Sequence, residues 1–205
     1  MGSIIAGIEP SSRPLIVACS PRERGNCDHG AQLLADALTF AGANPRVVHL
    51  RDLDIRLCNG CQACGKGPEF ACVHRGDEAQ SLFGLMIGAP ALFFVSPVYF
   101  YHVPALFKAF IDRSQRYYMA KVSGDVGLAG LPRRVAHVVL LGGRERGDRL
   151  FEGAFITLKY FLWSFNVDLG ESCCLYGVDG PGDLAADEGA AGRVAALAGL
   201  AWKAA

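Results

Sequence analysis

Four cysteines fall within fifteen residues, Cys58, Cys61, Cys64 and Cys72, spaced C-x2-C-x2-C-x7-C. Tight two-residue gaps are typical of thiolates that hold a 4Fe–4S cluster, and Gly60, Gly65 and Gly67 let the chain wrap around one. Zinc is the rival metal, although structural zinc more often uses two C-x2-C pairs across a longer spacer. Without a metal, Cys61 and Cys64 form a candidate dithiol. A second reactive stretch runs Ser20-Pro21-Arg22-Glu23-Arg24-Gly25-Asn26-Cys27. Ser20 and Asn26 can donate hydrogen bonds, Arg22 and Arg24 carry charge, and Gly25 lets the backbone come close. That chemistry suits a phosphate group. Neither G-x-G-x-x-G nor the P-loop pattern is present, so the cradle is inferred from its layout.

The layout is strand, polar loop, helix, which aims free backbone N–H groups at an anion. Strand one is expected over 14–20 and helix one over 28–41, with Gly42 as its stop. Residues 46–50 read as strand two, and a long connection bearing the cysteines follows. A helix is expected over 77–88, strand three over 90–95, and a helix from Pro104 to about 120. A linker over 124–132 leads to strand four at 134–141. A helix over 149–165, a fifth strand within 167–176 and a last helix over 183–202 complete the chain. The strand runs are apolar on both faces, as parallel strands buried between helices should be. The expected fold is therefore a doubly wound three-layer α/β/α domain over 14–205, with a cysteine-rich insert at 58–76 and an N-terminal extension over 1–13.

Composition limits the partners. Apolar residues make up 51% of the 205 residues, and 20 basic side chains balance 20 acidic ones. No long-range field for nucleic acid or anionic lipid results, and no uninterrupted apolar run is long enough for a membrane span. Neither a signal-peptide layout nor a myristoylation pattern is found at the start. Eight cysteines without a secretory leader point to metal or redox chemistry in a cytoplasmic protein rather than to a disulfide framework.

Ligands of doubly wound sheets bind beyond the carboxyl ends of the strands. Three loops leave those ends, 20–27, 96–103 and 142–148. The first offers Ser20, Arg22, Gly25, Asn26 and Cys27. The second offers Pro97, Val98, Tyr99, Phe100 and Tyr101 with backbone N–H groups. The third offers Gly142, Gly143 and Arg144, with Arg146 nearby. A phosphate at one end and a flat aromatic ring at the other would fit the trio, as in flavin mononucleotide (FMN).

These segments resemble the flavodoxin-like NADPH-dependent FMN reductase superfamily, and most nearly its iron–sulfur flavoprotein branch. Residues 20–27 are similar to the family's S-x-R-x-x-G-N loop, with Cys27 where a hydroxyl residue is usual. Ser96-Pro97-Val98-Tyr99-Phe100, then Pro104, Lys108, Ala109, Phe110, Asp112 and Arg113, resemble its P-V-Y and K-x-F-x-D-R segment. Cys58, Cys61, Cys64 and Cys72 match the branch's cluster ligands one for one. The resemblance, over residues 14 to about 177, implies a five-stranded parallel sheet ordered 2-1-3-4-5, bound FMN, and a homodimer or homotetramer whose neighbouring subunit covers the ring.

The resulting expectation is an FMN-dependent oxidoreductase. It would move electrons between NAD(P)H, or a ferredoxin-like partner, and an acceptor, through a 4Fe–4S cluster on the same side of the sheet as the phosphate loop. One alternative is a metal-free NAD(P)H-dependent reductase of quinones, flavins or nitro compounds. The other is a non-enzymatic electron carrier or redox sensor. No side chain is assigned as a catalytic acid or base. His29 and His102 are lesser candidates for ligand contact, and His74 for zinc. His49, His137, Cys19, Cys173 and Cys174 are expected to be packing residues.

Overall fold

The computed structural model describes residues 3–67 and 69–202. Residues 1–2 of the expected extension, Pro68 of the insert and 203–205 of the expected domain lie outside the described residues. Five strands, β1 (Leu15–Ala18), β2 (Arg46–His49), β3 (Leu92–Pro97), β4 (Arg134–Gly142) and β5 (Val167–Tyr176), form one sheet. Every pairing is parallel, and the order is β2-β1-β3-β4-β5. This is the flavodoxin-like topology that the resemblance implies.

Alternation along each strand builds two cores. Ile16, Phe93, Val95, Val139 and Leu175 face one layer, made by α1 (Asn26–Phe40), α7 (Asp183–Ala186) and α8 (Glu188–Trp202). Leu15, Val17, Phe94, Val138 and Leu140 face the other, made by α2 (Ala79–Gly88), α3 (Ala105–Arg113), α4 (Gln115–Val122), α5 (Val126–Gly130) and α6 (Glu152–Trp163). The second core is aromatic, with Phe83 stacked on Phe110 at 4.3 Å between ring centroids.

Several helices differ from their expected bounds for local reasons. The helix after Pro104 divides at Ser114, whose hydroxyl donates to the Ile111 carbonyl at 2.6 Å and competes with the helical ladder. The 124–132 linker contains α5, capped by the Asp125 carboxylate, which accepts from the Leu128 amide at 2.9 Å. The last helix breaks at Asp187, whose side chain caps α8 through the Ala190 amide at 2.9 Å. Helix α6 begins at Glu152 instead of 149, because Arg149 takes a left-handed φ of 56°. The segment before β1 packs on its own chain. Ile4, Ile5 and Ile8 lie against the aromatic core, and the Ser3 hydroxyl and Ile4 amide both donate to Asp125.

Candidate functional site

The loop between β1 and α1 is held from three sides. The Ser20 hydroxyl accepts from the Arg22 amide at 3.0 Å. The Asp28 carboxylate, in the first turn of α1, accepts from the Arg24 amide and from both terminal nitrogens of Arg51, at 2.8 and 3.0 Å. His49 Nδ1 stands 3.2 Å from the same carboxylate. Hydrogen bonding to Asp28 raises the pKa of Arg51. The Asp28 charge, which would repel a phosphate at this helix start, is thus neutralised by Arg51 from the turn just after β2.

The Asn26 side chain lines the smaller cavity and is anchored at both ends. Its amide nitrogen donates to the Gly180 carbonyl at 2.9 Å, and its oxygen accepts from the Leu184 amide at 3.1 Å. It ties the start of α1 to the loop between β5 and α7. Arg22 reaches the same loop, donating to the Asp179 carbonyl at 2.8 Å. Cys27 is buried, and burial, then the Asp28 charge, pushes its thiol pKa up to about 12. It is therefore a weak neutral donor in the cradle.

After β3 the chain makes a two-residue hairpin. Tyr99 and His102 exchange two backbone hydrogen bonds at 2.8 and 3.0 Å, with Phe100 and Tyr101 at φ of 51° and 64°. Phe100 is fully exposed at the tip. The Val98 amide continues the sheet by donating to the Leu141 carbonyl. The second loop therefore offers fewer free N–H groups than expected, since those of Val98, Tyr99 and His102 are taken. His102 does not begin a helix, and its Nε2 lies 2.8 Å from the Thr157 hydroxyl. The Arg144 guanidinium sits over the Tyr101 ring at 5.6 Å.

The twelve residues proposed from sequence for the cofactor line two neighbouring cavities beyond the strand ends. Ser20, Arg22, Gly25, Asn26, Cys27 and Pro97 line a small cavity of about 40 Å³. Val98, Tyr99, Phe100, Gly142, Gly143 and Arg144 line a larger one of about 290 Å³. Tyr99 borders both. The glycines are required by space. A Cβ on Gly142 would stand 2.7 Å from Leu150, and one on Gly143 would stand 2.9 Å from Asp179. The sequence reading missed the fourth wall, Val178 and Asp179, from the loop after β5. Its signal was the Gly177-Val178-Asp179-Gly180-Pro181-Gly182 run, a turn composition with Gly177 and Gly182 at positive φ.

Cys58, Cys61, Cys64 and Cys72 line a separate cavity of about 560 Å³. The expected metal centre is not supported. Among the described residues, no three His, Cys, Asp or Glu side chains are grouped to hold a metal ion. The ends of α3 and α4 wall this cavity through Arg113, Arg116 and Met119, and it shares no lining residue with the cleft.

Both stems of the cysteine segment are gripped by one ion pair. The Arg113 and Asp77 side chains are completely buried and hydrogen-bonded to each other. Arg113 also donates to the carbonyls of Arg56, at 2.9 Å, and His74, at 3.3 Å. Asp77 accepts from the Arg56 amide at 3.1 Å. Burial alone would raise the Asp77 pKa, but its bonds from Arg113 and Arg56 outweigh it and hold the carboxyl below its usual range. His74 contributes a carbonyl here and lines the cavity, with no zinc grouping around it. His137 and Cys173 are buried and Cys174 partly so, as expected of packing residues.

A parallel sheet of this order with a two-part cleft beyond its strand ends defines a flavodoxin-like α/β protein. The model of the NADPH-dependent FMN reductase family matches residues 13–162, and the chain belongs to that family. Within it, the chain lies close to the iron–sulfur flavoproteins. Two of these from Archaeoglobus fulgidus are 31% identical over 133 residues and 35% identical over 99. The alignments span 65% and 48% of this chain, but only 60% and 43% of the relatives' own lengths. Among solved structures, the azoreductase from Bacillus anthracis str. Sterne superposes with a TM-score of 0.66 at 16% identity, covering 92% of this chain and 99% of its own. A flavone reductase gives 0.66 at 12% identity, covering 91% and 60%. At such identities these two show the shared fold.

Proposed function

We propose that the chain binds FMN non-covalently in the cleft and is a flavin-dependent oxidoreductase, passing electrons from NAD(P)H to a small organic acceptor such as a quinone, a free flavin or a nitro compound. One observation carries this reading: twelve residues chosen for phosphate and ring contacts line two adjoining cavities that meet at Tyr99. The residues fit the group in their chemistry: Ser20 and Arg22 line the smaller cavity, and Gly142, Gly143 and Arg144 line the larger one beside the aromatic loop.

Each part has a task. The β1–α1 loop presents amides and the Arg22 guanidinium to the phosphate, with Asp28 neutralised by Arg51. Gly142, Gly143, Arg144, Tyr99 and Tyr101 line the larger cavity and would hold the ring, the first three through their backbone and the two tyrosines through their side chains. Bound FMN would accept two electrons as hydride and pass them on. No side chain is needed as acid or base, and His102 is already engaged with Thr157. The exposed Phe100 tip is where a second copy of the chain would cover the ring, in a homodimer or homotetramer. Among the described residues, no helix is long and apolar enough to cross a membrane, and all eight cysteines are free thiols, which suits a reducing, cytoplasmic setting.

A second reading adds a 4Fe–4S cluster and a ferredoxin-like partner. It is favoured by the convergence of the four cysteines on one cavity and by the name iron-sulfur flavoprotein carried by both relatives. The deciding experiment measures flavin, iron, zinc and acid-labile sulfide per chain after anaerobic purification, followed by NAD(P)H oxidation with a quinone. One FMN with no iron and with turnover supports the metal-free enzyme. About four iron and four sulfide per chain establishes the cluster reading. FMN without NAD(P)H oxidation moves the protein to the electron carriers, and failure to take up FMN overturns the proposal.

A further inference from the structure

The flavin reading uses the backbone of Arg144 and leaves its side chain without a task. Among the described residues, Arg144 is the one charged residue on the wall of the ring cavity; the others are apolar, aromatic or glycine. Its place is fixed by the sheet. The Arg144 carbonyl accepts from the Gly177 amide at 2.9 Å, and the Gly142 carbonyl from the Val178 amide at 3.0 Å, so this loop is clamped to the chain just after β5. From that base the guanidinium reaches over the Tyr101 ring, 5.6 Å from its centroid. A phenol ring attracts the charge but offers no lone pair in its plane, so the guanidinium keeps N–H donors for an acidic group.

None of the carboxylates in the neighbouring loops lines this cavity. Asp179 borders the smaller one, the Glu145 side chain lies beside Gly177, and Glu152 is bonded to Arg149. The aromatic walls are open to solvent: Tyr99, Phe100 and Tyr101 are all exposed, and so is Arg144. A molecule that approaches through this opening meets aromatic side chains and one positive charge.

We propose that the Arg144 side chain selects the electron acceptor, favouring a flat aromatic molecule that bears an acidic substituent, a carboxylate or a sulfonate. This rests on the flavin reading and names the acceptor class within it. The aromatic part enters the cleft, and the acidic group takes the N–H donors of Arg144. The overall reaction keeps its balance: a quinone gains a hydride equivalent from NAD(P)H and a proton from solvent, and leaves as the hydroquinone.

The test compares 1,2-naphthoquinone with its 4-sulfonate as acceptors for the full chain, in excess FMN and saturating NAD(P)H. The quantity read is the ratio of kcat/KM, sulfonate over parent, because a loss common to both acceptors cancels in it. Arg144→Gln should lower that ratio about fivefold at low ionic strength, as the loss of one unit-charge contact in water would, and Arg144→Glu should lower it further. Arg144→Lys should keep most of the preference, since the charge remains. In the unaltered chain, salt at about 1 M, where screening acts within about 3 Å, should bring the ratio towards that of Arg144→Gln. A ratio unmoved by salt and by both charge-removing variants overturns the proposal and leaves the flavin reading standing. A rise confined to the KM for NAD(P)H, with the ratio unmoved, assigns Arg144 to the donor and also overturns it. Failure to take up FMN, or to turn over either quinone, overturns both.

Discussion

Replacing Arg113 with methionine should destabilise the protein far more at pH 7 than at pH 4. The guanidinium and the Asp77 carboxylate it faces are both fully buried. Removing one partner strands a charge in the interior, which costs about 3–5 kcal/mol. Two further acceptors, the carbonyls of Arg56 and His74, lose their donor as well. For a chain of 205 residues that corresponds to a fall of roughly 6–20 °C in Tm. The pH dependence follows from Asp77. In the intact protein its folded pKa is depressed, so the pair stabilises above the unfolded carboxyl value near 3.9 and is lost as pH falls through the folded value. Without Arg113 the sign reverses. Burial then raises the folded pKa, and a neutral carboxyl is tolerated until pH rises through it. The assay is urea unfolding of both proteins between pH 4 and 8. Asp77→Leu combined with Arg113→Met should lose less than Arg113→Met alone, because no charge is then stranded. A penalty that is constant across pH, or below about 1 kcal/mol at pH 7, would refute the buried-pair argument.

Three further outcomes are expected at the cleft. Arg22→Gln should weaken FMN binding roughly tenfold by flavin-fluorescence titration, through loss of the charge on the phosphate side and of the tie to the Asp179 carbonyl. Gly143→Ala places a Cβ 2.9 Å from Asp179, and should lower FMN affinity and also cost the apoprotein about 1–3 kcal/mol, roughly 2–12 °C in Tm. For Cys27, a thiol pKa of about 12 leaves about one molecule in ten thousand ionised at pH 8. Iodoacetamide with peptide mapping should therefore label the exposed Cys58 and Cys61 long before Cys27, and Cys27→Ser, a better donor, should bind FMN several-fold more tightly.

The strands themselves and the main cleft were legible because they rest on short-range signals, whereas the strand order came from the family resemblance. Apolar runs mark buried parallel strands, and the loops at their carboxyl ends must converge whatever the side chains do. Helix ends were less legible where a single side chain decides them. Ser114 and Asp187 each redirect one backbone hydrogen bond, and nothing in hydrophobic periodicity records that. Asn26 shows a different limit. Its type and position suit a phosphate donor, but its partners, Gly180 and Leu184, lie more than 150 residues away. The same separation hid Val178 and Asp179 as a wall of the cradle. For the cysteines, spacing brought four thiols to one cavity but did not reveal that a buried ion pair fixes the stems of their segment, or that the ends of α3 and α4 stand opposite.

The hairpin at Tyr99–His102 ties local strain to the use of the cleft. Phe100 and Tyr101 both take left-handed φ without being glycine, at a cost of about 1–2 kcal/mol each. Tight two-residue hairpins favour Asn-Gly or Gly-Gly at these positions because those residues avoid that cost. Here the turn is held by two backbone bonds between Tyr99 and His102, by His102 against Thr157, and by Arg144 over the Tyr101 ring. These contacts offset the strain without burying Phe100, which stays fully exposed. Folding alone therefore gives no reason for an aromatic ring at that tip, whereas a ring at the mouth of an aromatic-lined cleft has an immediate use in meeting a flat ligand or a second subunit. Strain that is compensated locally, at the edge of the proposed ring site, is what a binding loop set in its working shape before the ligand arrives would display.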